Sequence, residues 1–131
     1  MKNNLFVATL FMLSLCIGCG KYVGVSGKVT FPDGSPLTGG EVCFTDDVFA
    51  GRATVQRDGT YRMGREKDGD GIPKGTYKVY LSNGVSYEPS PDGGPPISTL
   101  LVDKKFLTAD TSGLTCTVDG KTVFNFTVEK P

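Results

Sequence analysis

Histidine and tryptophan are both absent from the 131 residues. Without histidine, Ser-His-Asp and Cys-His nucleophilic centres cannot be assembled. The commonest metal ligand and the usual near-neutral acid–base group go with it. Charge of one sign is missing too, with 14 cationic side chains against 14 acidic ones. No basic stripe runs along the chain, so nucleic acid is not expected as a partner. No long 3.6-period pattern is present, and no apolar run reaches the roughly 20 residues of a membrane-spanning helix. Catalytic, cofactor and metal residues are therefore not assigned.

What is present begins with an address. Lys2 precedes an apolar run at residues 5–17, about 13 residues long, which suits the h-region of an export signal. Cys16-Ile17-Gly18-Cys19 follows. A small residue directly before a cysteine at the end of an h-region resembles the bacterial lipobox, although Cys16 stands where leucine is usual. The resemblance implies cleavage after Gly18, removal of residues 1–18 as a lipoprotein signal peptide, and diacylglycerol on the Cys19 thiol. Residues 19–22 then form a lipidated tether, and residues 23–131 form the domain. Two or more acyl chains, each contributing about 0.8 kcal/mol per buried CH₂, anchor a protein stably where one does not. Gly20 after the lipidated cysteine favours an outer-membrane position in the bacterial cell envelope, with the domain outside the cytoplasm.

Cleavage would remove only Lys2 among the charged residues, leaving 13 cationic against 14 acidic side chains. It would also leave Cys43 and Cys116 as the two unmodified thiols. A pair of thiols in an exported protein suggests a disulfide. The side-chain pattern points the other way. Val42 and Phe44 flank Cys43 and put it on the opposite, exposed face of its strand, whereas Cys116 lies on the apolar face of residues 114–118. The bridge between Cys43 and Cys116 stays open at this level.

The 18 glycines and 8 prolines punctuate short alternating apolar runs, the composition of an all-β domain. Tyr77, Val79 and Leu81 alternate with Lys78, Tyr80 and Ser82, the period of a half-buried strand. Pro and Gly sit just before this run and none inside it, and it is expected to be the strand that the others pack around. Further strands are expected near residues 25–31, 41–45, 53–55, 60–63, 114–118 and 123–128. Asp58-Gly59 and Asp119-Gly120 are two-residue hairpin signals. Residues 83–96 carry Pro89, Pro91, Pro95 and Pro96 and are expected to hold no regular strand. Residues 97–106 are ambiguous. About seven strands in this length predict a β-sandwich.

The motifs Val25-Ser-Gly-Lys-Val-Thr-Phe31, Asp33-Gly-Ser-Pro-Leu37, Gly39-Gly-Glu-Val-Cys-Phe44, Asp58-Gly-Thr-Tyr61 and Gly71-Ile-Pro-Lys-Gly-Thr-Tyr-Lys-Val79 resemble, in that order, the carboxypeptidase regulatory-like, transthyretin-like domain. The stretch from Lys105-Phe106 through Thr111-Ser-Gly-Leu114 to Asn125-Phe126 resembles short bacterial lipoproteins built from that domain alone. The resemblance implies a seven-stranded Greek-key β-sandwich without catalytic activity. A hydrolytic branch of the wider group resembles a His and Arg cluster with a terminal Tyr-Arg-Gly-Ser, which this chain lacks.

Two surface features are candidates for recognition. Asp68-Gly69-Asp70-Gly71 spaces carboxylates like the start of a calcium loop but lacks the later ligands, so a solvated turn is expected and no metal is assigned. The loop at residues 83–96, with Tyr87, Pro89, Pro91, Pro95 and Pro96, is the candidate partner surface, because long loops carry function more often than strands. The expected role is a membrane-anchored, non-catalytic envelope module, held in the membrane through Cys19 and facing an unknown protein or glycan. The alternatives are a glycan- or small-ligand-binding module using residues 83–96, and an accessory domain acting in trans with a peptidase.

Overall fold

The computed structural model describes residues 22–64 and 69–131. The signal segment, Cys19 and Asp68 lie outside the described residues. Ten short strands form in chain order: β1 Val25–Thr30, β2 Glu41–Thr45, β3 Ala50–Thr54, β4 Thr60–Arg62, β5 Gly75–Ser82, β6 Val85–Glu88, β7 Ile97–Leu100, β8 Leu114–Val118, β9 Thr122–Val123 and β10 Phe126–Thr127. A 3₁₀ turn, Lys104–Leu107, stands between β7 and β8, capped by the Asp103 carboxylate, which accepts from the Lys105 N–H at 3.0 Å.

The strands make two four-stranded sheets and one two-stranded ribbon. One sheet has the order β3-β2-β5-β8, antiparallel throughout. In the other, β1 pairs antiparallel with β4 and parallel with both β9 and β10. Among the described residues, β6 pairs only with β7, in the ribbon.

Alternation decides which faces meet. In β5, Tyr77, Val79 and Leu81 are buried while Lys78 is exposed and Tyr80 and Ser82 are half-buried. Its pairing with β2 on one side and β8 on the other puts β5 in the interior of its sheet, consistent with the expectation that the others pack around it. Val29 and Tyr61 of the other sheet, and Met63 just after β4, are buried in the same core cluster. An aromatic contact crosses the interface, Phe44 of β2 lying 6.0 Å from Phe124 in an edge-on arrangement; within its own sheet Phe44 lies 6.0 Å from Tyr77. Such pairs add directional attraction to the burial of apolar area.

Three sequence expectations are corrected. First, the described residues hold ten strands where about seven are expected. The difference comes from the extra ribbon β6–β7 and from interruption of the last strand. β9 and β10 keep one register against β1, but between them the Asn125 Oδ1, not a backbone carbonyl, accepts from the Lys28 N–H at 2.9 Å. Second, Asp119-Gly120 is no hairpin. β8 pairs with β5, whereas β9 pairs with β1, so the segment crosses from one sheet to the other. Asp58-Gly59 also links strands of different sheets, β3 and β4, but there the chain reverses tightly: the Gly59 N–H donates to the Gln56 carbonyl at 2.9 Å, with Gly59 at φ 84°. Third, residues 83–96 do contain a strand, β6.

The strand directions define two poles of the molecule. The chain enters beside Ile72, where the Val23 N–H donates to the Ile72 carbonyl at 2.8 Å. The start of β1, the end of β2 and the start of β5 all lie at this entry pole, together with the end of β8. At the far pole lie the end of β1 beside Pro36, the Asp58-Gly59 turn, the start of β2 and the end of β5.

Candidate functional site

The ribbon β6–β7 is built from the segment singled out in the sequence. Its prolines explain how it can be a strand pair. Pro89 follows β6, and Pro95 and Pro96 precede β7, so no missing N–H falls inside the ladder. Pro91 lies in the tip, where the Gly93 N–H donates to the Ser90 carbonyl at 3.1 Å with Gly93 at φ 72°. Tyr87 stands opposite Ser98, and Glu88 opposite Ile97. Neighbouring residues on a strand point to opposite faces. Tyr87 and Ile97 therefore lie on opposite faces of the ribbon, 71% and 52% exposed. No lysine or arginine occurs between Lys78 and Lys104, so Glu88 and Asp92 are the charged groups of the ribbon and its tip. The ribbon is held at its base: Leu101 packs on the core and Val102 is fully buried in it.

The two thiols sit on opposite faces of one sheet and are free. Cys116 pairs in register with Tyr77 on the inner face, and Cys43 pairs with Tyr80 on the outer face. β5 lies between their strands, which sets β2 and β8 about 10 Å apart, beyond the Cα separation a disulfide spans. Cys43 is nevertheless buried, not exposed, because Tyr80 and Arg52 flank it in register from β5 and β3.

Around Cys43 a polar chain forms that pattern reading alone does not reveal. The Cys43 thiol donates to Ser82 Oγ at 3.4 Å. Ser82 Oγ donates to Glu41 Oε2 at 3.0 Å, and Arg52 stands 3.9 Å from the same oxygen. Strand alternation puts Glu41 and Cys43 on one face, but only the register of β2 against β5 brings Ser82 to them. These residues edge an open depression of about 370 Å³. Burial pushes the Cys43 thiol above its ordinary range, and Ser82 opposes this only in part. Burial does the same to Cys116. Both thiols therefore stay protonated near neutral pH, which makes them poor nucleophiles.

Two other shallow depressions mark the surface. One, of about 530 Å³, lies on the outer face of β1 and β4 between Lys28, Arg62 and Asn125. The other, of about 450 Å³, runs between Asp46, Asp47, Lys78 and Asp110. Lys78 and Asp110 pair at 3.2 Å with both side chains largely exposed, a contact that contributes little to stability. Among the described residues, no group of three or more His, Cys, Asp or Glu side chains is placed to hold a metal ion. No helix among them is long and apolar enough to cross a membrane.

No family model matches the chain, and no curated protein matches it. Among solved structures, a DUF3823 family protein from Bacteroides ovatus aligns at 20% identity and a TM-score of 0.46, over 82% of this chain and 44% of that one. A 9R-lipoxygenase from Cyanothece aligns at 15% identity and a TM-score of 0.39, over 85% of this chain and 17% of that one. This chain thus spans less than half the length of either protein. At such scores neither likeness carries a functional conclusion, and the all-β architecture stands on the strand pairing itself.

Proposed function

We propose that the chain is a lipid-anchored envelope protein whose transthyretin-like, Greek-key β-sandwich acts as a non-catalytic interaction module. Residues 1–18 are removed, Cys19 carries the acyl chains, residues 19–22 are the tether, and the ribbon β6–β7 meets the partner. The observation that carries this reading is the ribbon. It stands outside both sheets, exposes Tyr87 and Ile97, and is rooted in the core through Val102. Exposed apolar side chains on an isolated strand pair suit recognition better than packing within one molecule. The lack of histidine along the whole chain removes the most frequent acid–base group from any catalytic alternative.

The test is the intact mass of the protein extracted from membranes, with and without reduction before alkylation of the unfolded chain. The expected mass is that of residues 19–131 plus acyl chains, with Cys43 and Cys116 both alkylated whether or not reductant is added. An unacylated mass overturns the anchor. Alkylation that appears only after reduction overturns the free thiols.

A further inference from the structure

We infer that the ribbon β6–β7 is presented on the side of the domain turned away from the membrane, where it is gripped by a cationic cleft of a partner protein. The inference rests on the anchor proposed above. From Cys19 to Val23 is four residues, which extend at most about 14 Å. Val23 is pinned to Ile72 at the entry pole, so a lipidated Cys19 keeps that pole close to the bilayer. The ribbon begins at the opposite pole. β5 runs from Gly75, beside Val118 at the entry pole, to Ser82, beside Glu41 at the far pole. Its eight residues cover roughly 25 Å. Asn83 then turns the chain at φ 51°, and the Leu101 N–H closes the base of the ribbon by donating to the Gly84 carbonyl at 2.8 Å. That base stands next to Gly39 and Gly40, also at the far pole.

The occupant is set by the ribbon's chemistry. Glu88 and Asp92 are its charges and no cation accompanies them. An anionic bilayer or nucleic acid is therefore disfavoured, and lysine or arginine on the partner is favoured. Tyr87 and Ile97 project from opposite faces, so a flat surface covers only one of them, whereas a cleft covers both. An isolated strand pair is marginal in water, and enclosure by a partner would supply the missing cover.

The experiment uses the full lipidated protein, with Ser90→Cys or Asp119→Cys carrying a fluorophore, in phosphatidylethanolamine–phosphatidylglycerol vesicles doped with a headgroup-labelled acceptor. The native thiols Cys43 and Cys116 are buried, which leaves the introduced one to react. Energy transfer is expected to be several-fold stronger from position 119, at the entry pole, than from position 90. Equal transfer from an acylated preparation overturns the orientation while leaving the anchor intact; a mass without acyl chains overturns both. Decalysine, added to the Ser90-labelled protein in uncharged detergent micelles instead of the anionic vesicles, tests the charge argument. Glu88→Gln with Asp92→Asn should weaken its binding roughly threefold to tenfold, and unchanged binding overturns the cationic partner.

Discussion

A side chain at position 27 would meet the Phe124 carbonyl head-on and stand 2.7 Å from the Tyr61 hydroxyl oxygen. Gly27 is thus the gap through which Tyr61, buried between the sheets, donates its hydroxyl hydrogen to the Phe124 carbonyl. The contact lies where the parallel pairing of β1 is interrupted between β9 and β10. Burial holds the Tyr61 phenol protonated far above the ordinary tyrosine range. Two substitutions separate the parts. Tyr61→Phe removes the donor and leaves the Phe124 carbonyl short of a partner, at a cost of about 1 to 2 kcal/mol. Gly27→Ala forces backbone apart and should cost about 3 kcal/mol. Urea unfolding of both variants checks the order, and an alanine at 27 that costs less than the loss of the hydroxyl would show that the strands can separate there freely.

At the scale of elements, the segment from β6 to the 3₁₀ turn divides into a part that serves the core and a part that does not. Phe106 is buried among β5 neighbours and lies in the main core cluster. Tyr87 and Ile97 remain exposed. Phe106→Ala should therefore cost about 3 to 4 kcal/mol, while Tyr87→Ser should stay within about 0.5 kcal/mol. Thermal unfolding followed by circular dichroism distinguishes the two, and a large loss from Tyr87→Ser would place the ribbon in the folding core instead.

This division shows what was legible in the residues. Alternation identified β5 and the buried side of β8, because each of these strands covers the core with one face only. The Asp58-Gly59 turn was legible because its backbone requirement is local. Asp119-Gly120 has the same local signal, yet the partner of β9 is chosen by pairing with β1, nearly a hundred residues earlier in the chain. The strand in β6 was hidden by its prolines, which cluster at the ends of the ladder, where a missing N–H costs nothing. The ribbon's value as a candidate surface was legible from its loop chemistry, whereas its position opposite the chain entry came only from register. The burial of Cys43 was missed for a related reason: its cover comes from Tyr80 and Arg52 on neighbouring strands, and sequence alternation reports a strand's own face but not what its neighbours lay across it.

For the whole molecule, the 14 cationic and 14 acidic side chains balance near neutrality, and acid removes that balance as well as the hydrogen bonds of a few oriented carboxylates. Asp33 and Asp58 occupy equivalent turns. Each accepts from the side chain and backbone N–H of the residue two places on, Ser35 and Thr60 respectively. These hydrogen bonds, the side-chain one foremost, lower both carboxyl pKa values; Lys130, 3.5 Å from Asp33, adds a smaller push in the same direction. A carboxyl whose folded pKa lies below its unfolded one stabilises the fold above the unfolded pKa. That contribution is lost as pH falls through the folded value. Both turns flank the far pole, so protonation loosens the end of the domain that carries the ribbon. Unfolding free energy is expected to fall between about pH 5 and pH 2, and Asp33→Asn with Asp58→Asn should flatten that slope while lowering stability near neutrality. Urea titrations across this range measure both effects. An unchanged slope in the double variant would mean that other carboxylates govern acid unfolding, and that the two turns hold their shape without their charge.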